Sequence, residues 1–169
     1  LMILPEYMAM DMSQSGYTEI LDNAKKDGLL NTNSLEVERV RNISYNLISQ
    51  TYIFRDDAQE WNWEINVIDS ELINAFCMPG GKIVVYSGLI NKLDATDDEL
   101  AAVIGHEIAH ALREHGRERM SSALVQQVGI LVFAIFLSNQ DGSFLSKQAI
   151  LQGVALGTTL FFALPNSRE

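Results

Sequence analysis

The chain has 169 residues, 47% hydrophobic and 20% charged, with 11 Gly and 3 Pro; this composition suits one compact domain with a real core and excludes disordered and collagen-like classes. Twelve Lys and Arg against 22 Asp and Glu give a formal net charge of -10, so no sequence-independent grip on nucleic-acid phosphates or anionic lipid is expected. Cys77 is the single cysteine, so an intrachain disulfide is excluded and the redox compartment stays open.

Taken in chain order, the apolar residues Tyr7, Met8, Met12, Ile20 and Leu21, closed by Gly28, predict a first helix over about 5–27, with the methionines as packing residues. Asn33 with Glu36 three positions on reads as an N-cap. Val37, Val40, Ser44, Leu47, Ile48 and Thr51 then follow helical spacing, which predicts a second helix over about 34–53. The period changes to two where Trp61, Trp63, Ile65 and Val67 alternate with Asn62, Glu64 and Asn66, the mark of a strand with both Trp in the sheet core. Asn74–Cys77 and Lys82–Tyr86 are two further β-prone runs around the turn Met78-Pro79-Gly80-Gly81. A small antiparallel sheet is expected.

Thr96 and Glu99 have capping-box spacing, and Leu100, Val103, Ile104, Ile108, Ala111 and Leu112 form the apolar stripe of a helix over about 97–119. Asp97, Asp98 and Glu99 are explained by the helix dipole. Residues 124–137 and 149–164 are apolar stretches joined by a polar linker, and each is shorter than the roughly 20 apolar residues that cross a bilayer. Buried helices are the plain expectation; a hairpin lying on or dipping into a membrane, aided by the small residues Gly153 and Gly157, is the alternative. No basic stretch leads into an apolar one at the start, so no signal peptide is expected within the chain. The fold class is α+β, mostly helical, in a single domain spanning 1–169.

The chemistry lies in His106-Glu107-Ile108-Ala109-His110, inside the best-defined helix. Two imidazoles one turn apart share a face and can reach one metal ion, and zinc takes neutral imidazole nitrogen while leaving a position for water. Glu107 projects about 100° round from His106, placed to act on that water as general base. The chemistry is metal-assisted amide hydrolysis. His115 points well away from the pair and reads as a surface or outer histidine.

These residues resemble a known family, the zinc metallopeptidases that include HtpX, the CAAX prenyl endopeptidase and the periplasmic protein BepA. The resemblance rests on Asn74-Ala75-Phe76, the Pro79-Gly80-Gly81-Lys82-Ile83 turn, Tyr86-Ser87-Gly88-Leu89, the His106–His110 motif and Leu164-Pro165-Asn166-Ser167-Arg168. It implies a zincin-like fold, His106 and His110 as zinc ligands, and Glu107 as base. It also implies that Asn74, Ala75 and Phe76 lie on an edge strand to which an extended or unfolded polypeptide adds by backbone hydrogen bonds. The soluble bacterial branch looks nearest, which implies a periplasmic or cell-envelope location, a lipid anchor, and substrates that are misfolded or misassembled envelope proteins. The family's third zinc ligand is a Glu after the pattern Ser-Arg; here Ser167-Arg168 is followed by Glu169 alone, at the wrong offset, so the chain reads as a domain cut short of a complete site. A client-binding module that does not cleave is the competing reading.

Overall fold

The structure, a computed structural model, describes residues 3–114, 117–118 and 120–129. It divides into two compact units, Pro5–Arg117 and Leu1–Leu4 with Glu118–Glu169. In the second unit residues 120–129 are helical, and the Leu4 N–H donates to Ser121 Oγ at 3.0 Å. His115, Glu169, the Leu164–Arg168 segment and the expected apolar hairpin, apart from 124–129, lie outside the described residues. Among the described residues no helix is long and apolar enough to cross a membrane.

The unit Pro5–Arg117 is α+β. Its elements are α1 (Glu6–Lys26), α2 (Ser34–Ile48), two short 3-10 turns (Thr51–Ile53 and Asp56–Glu60), β1 (Glu64–Ile68), β2 (Ala75–Met78), β3 (Lys82–Tyr86), α3 (Ser87–Asn91) and α4 (Asp97–Leu112). The first helix ends where Gly28 takes a φ of 70°, as its C-terminal glycine predicts. Asn33 caps α2, its side chain accepting from Leu35 N–H and Glu36 N–H at 3.1 and 3.3 Å. That helix stops at Ile48, short of the expected 53. Ser49 Oγ and Thr51 Oγ each bond a carbonyl three residues back at 2.7 Å, offering the backbone an alternative to further α turns.

The sheet is mixed, not antiparallel as expected. Its order is β1-β3-β2, with β1 parallel to β3 in the register Glu64↔Lys82 to Ile68↔Tyr86, and β2 antiparallel to β3 from Ala75↔Val85 to Met78↔Lys82. The reason is visible in β3. Ile83, Val84 and Val85 are an unbroken apolar run, all buried, and a strand buried on both faces belongs in the centre. Strand β2 therefore lies inside the crossover that the parallel β1–β3 pair requires. One face of the sheet carries Ile65, Val67, Ala75, Ile83 and Val85 into a core with α2 and α4. The other sets Val84 and Ile68 against Tyr17 and Ala24 of α1. Tyr17, fully buried, donates its hydroxyl proton to Ile83 O at 2.6 Å and accepts from Asn66 Nδ2 at 2.9 Å. Burial pushes that phenol well above the usual tyrosine range.

The aromatic residues ahead of β1 also differ from expectation. Trp61 and Trp63 precede the strand instead of belonging to it, because Trp61 closes the Asp56–Glu60 turn and Trp63 N–H bonds back to Trp61 O at 2.9 Å. The two rings stack at 5.4 Å, and only Trp63 packs on the core. Gly81 lies against it. At φ 84° Gly81 follows a turn in which Pro79 and Gly80 (φ 83°) hold the central positions and Gly81 N–H donates to Met78 O at 3.1 Å. A Cβ on Gly81 would stand 2.6 Å from the Trp63 ring. Gly81→Ala combines left-handed backbone strain with overpacking and is expected to destabilise the fold by about 2 kcal/mol or more. Urea unfolding checks this: the midpoint should fall with the slope unchanged, and an unmoved midpoint would show that Trp63 yields without cost.

Candidate active site

Helix α4 begins at a reciprocal capping box. Glu99 N–H donates to Thr96 Oγ1 at 3.3 Å, and Thr96 N–H donates to Glu99 Oε2 at 2.8 Å. The helix ends at Leu112, before the expected 119, because Glu114 takes a left-handed φ of 58°. That backbone is costly for a residue with a side chain, and Glu114 is held there by ion pairs to Arg55 Nη1 at 3.2 Å and Arg117 Nη1 at 3.0 Å. Arg55 also pairs with Asp57 and with Glu6 of α1, so it fixes the exit of α4 against two other elements. At the other end Arg39 of α2 donates to Asp97 Oδ1 at 2.6 Å and to Ala95 O at 2.7 Å. Both ends of the motif-bearing helix are thus pinned.

Along α4 the buried residues are Leu100, Ile104, Glu107, Ile108 and Ala111. This is the helical stripe, with a carboxylate in a place where an apolar residue would ordinarily stand. His106 lies on the exposed side and His110 is half-buried. Their Nε2 atoms approach to 2.9 Å, with ring centroids 4.4 Å apart and rings perpendicular. Two basic nitrogens brought to one point at the mouth of a helix face fit a divalent cation, which accepts from both. Among the described residues no group of three or more His, Cys, Asp or Glu is gathered as a metal cage.

Strand β2 packs against α4. Its Cys77 side chain belongs to the α2/α4 core face, and its thiol is raised well above the usual range, first by burial and then by the negative charge of Glu107. A thiol held protonated is no nucleophile, so the only cysteine does not make this a cysteine-based site.

The two outer edges of the sheet are treated differently. The β1 edge is closed: Asn31 N–H donates to Val67 O, Asn31 Oδ1 accepts from Val67 N–H, and Asp69 N–H donates to Leu29 O, all at 2.8 Å. Arg41 Nε adds a bond to Ile65 O at 3.0 Å. On β2 the outer edge carries no strand among the described residues. Tyr86 N–H donates to Asn74 O at 3.1 Å, so Asn74 and, by the two-residue alternation, Phe76 spend their backbone groups on β3. Ala75 and Cys77 then point their N–H and C=O outward. Of the expected strand trio, Ala75 lies outward, Asn74 and Phe76 lie inward, and Cys77 is an addition. The alternation counted from the Pro79-Gly80 turn carries that information in the sequence.

With this geometry in view, the family described as Peptidase family M48 matches residues 35–169. The chain belongs to Peptidase family M48. This agrees with the family resemblance carried by its motifs. Similar proteins include the mitochondrial metalloendopeptidase OMA1 of Arabidopsis thaliana, 33% identical over 117 residues, covering 68% of this chain and 23% of that protein. The mitochondrial metalloendopeptidase OMA1 of Bos taurus is 49% identical over 63 residues, 37% of this chain and 12% of that protein. The metalloprotease LoiP of Escherichia coli (strain K12) is 48% identical over 52 residues, 31% of this chain and 20% of that protein. The chain therefore spans less than a quarter of the length of each of these relatives. Proteins named as mitochondrial dominate among the relatives, which overturns the expectation of a bacterial periplasmic or envelope location with a lipid anchor.

Thr96→Ala removes one half of the capping box at the start of α4, and a loss of about 1 kcal/mol is expected. Thermal unfolding should show the lower midpoint; an unchanged one would mean the Arg39–Asp97 and Arg39–Ala95 bonds hold that end alone.

Proposed function

We propose that the chain forms part of the catalytic domain of a zinc-dependent endopeptidase that hydrolyses peptide bonds in extended or unfolded polypeptides, misfolded or misassembled proteins among them. The observation that carries this reading is the position of Glu107, a carboxylate in the buried stripe of α4, the helix that packs against β2, whose outer edge carries no strand among the described residues. His106 and His110, whose Nε2 atoms converge, would hold the metal. When bound, zinc would supply Lewis acidity toward the scissile carbonyl and the attacking water.

The rest falls to the chain's own residues. The outward N–H and C=O groups of Ala75 and Cys77 bond an extended substrate as an added strand, which orients its backbone against α4 and is largely indifferent to its side chains. Glu107 takes the proton of the attacking water and passes it to the departing amine nitrogen. Its place in the apolar layer keeps bulk water from competing for that proton. Asn74 and Phe76 tie β2 to β3 and so hold the substrate edge in register. The third protein ligand that a catalytic zinc site usually has is not supplied by the described residues.

The test is Glu107→Gln, which keeps shape and removes the base. Cleavage of unfolded casein should drop by about a hundredfold or more, with the thermal midpoint unchanged. Casein still cut at the native rate would take Glu107 out of the mechanism.

A further inference from the structure

The connector between β1 and β2 presents two large apolar side chains to solvent, Leu72 at 55% and Ile73 at 50% exposure. They stand on a backbone that is held tightly from beneath. Ser70 N–H donates to Ser87 Oγ at 2.9 Å, Ser87 Oγ donates to Asp69 Oδ1 at 2.9 Å, and Gly88 N–H donates to Ser70 O at 2.8 Å. Leu72 N–H reaches Ser70 Oγ at 3.2 Å. A Cβ on Gly88 would overlap the Leu72 carbonyl, so the start of α3 lies directly under this connector. Apolar side chains on an already ordered backbone lose little further freedom when a ligand covers them. Ile73 also continues the outward alternation of Ala75 and Cys77, and among the described residues its N–H and C=O enter no backbone bond.

We propose that Leu72 and Ile73 are specificity-determining residues that select an apolar side chain in the bound polypeptide. The proposal rests on the reading that β2 receives the substrate as an added strand. Helix α4, which carries Glu107, packs along β2 (Ala75–Met78), and Ile73 lies two to five positions before those strand residues. The selected residue therefore lies two to five residues from the bond that is cut, on one side of it. Backbone addition alone gives no such preference, so a positional bias is the signature of this pair.

The experiment uses the full-length protein and a set of unfolded peptides that share one cleaved bond in a serine-rich background, with a single leucine moved stepwise along both sides of it. kcat/KM is expected to rise about tenfold when the leucine sits at one position between two and five residues from the bond, on one side only. That ratio should fall to near unity in Leu72→Ser/Ile73→Ser and persist in Leu72→Met/Ile73→Val. A flat leucine profile in the unsubstituted protein overturns the proposal while leaving the peptidase reading intact, as does a ratio that survives the double serine variant. No cleavage of any peptide overturns the peptidase reading, and this one with it.

Discussion

Ile83, Val84 and Val85 are buried on both faces of the sheet, and most of the arrangement around the site depends on that. Because β3 must be central, β1 and β2 become the edges, and the turn at Pro79-Gly80 brings β2 back alongside α4. Tyr17, bonded to Ile83 O across the α1 face, holds β3 from the side opposite the motif. Asn31, with its own left-handed φ of 51°, closes the β1 edge by imitating a strand neighbour. An exposed strand edge invites pairing with any other chain, and proteins usually blunt it. Among the described residues one edge is blunted, and the other belongs to β2, whose face packs against the motif-bearing helix α4.

A buried carboxylate is expensive unless charge or hydrogen bonds compensate it. Glu107 occupies a helix position whose neighbours along the stripe, Ile104, Ile108 and Ala111, are all apolar. A carboxylate in that stripe is what the proposed role of Glu107 as general base requires. The pinning of α4 at both ends, by Arg39 at Asp97 and by Arg55 at Glu114, suits a site whose side chains must hold their geometry.

The helices, the hairpin turn and the motif were legible because each has a local cause. The Asn33 cap, the Thr96–Glu99 box and the Pro79-Gly80 turn act within four residues, and the spacing of His106 and His110 is set by helix geometry. Strand order was not legible, because the choice between a meander and an inserted hairpin is made by the burial of β3 against α1, tens of residues away. The helix ends at Ile48 and Leu112 were missed for similar reasons, one from hydroxyl competition and one from the long-range grip of Arg55 on Glu114. At the site the histidines and Glu107 could be named from spacing. That Ala75 and Cys77 turn their backbone groups outward follows only from the sheet register.

The central claim is that the paired Nε2 atoms of His106 and His110 form a metal site. Elemental analysis of the purified protein, alongside His106→Ala and His110→Ala, tests it most directly. Near-stoichiometric zinc in the native protein and its loss in both variants is the predicted result; zinc retained in either variant would contradict the assignment of these two imidazoles as ligands.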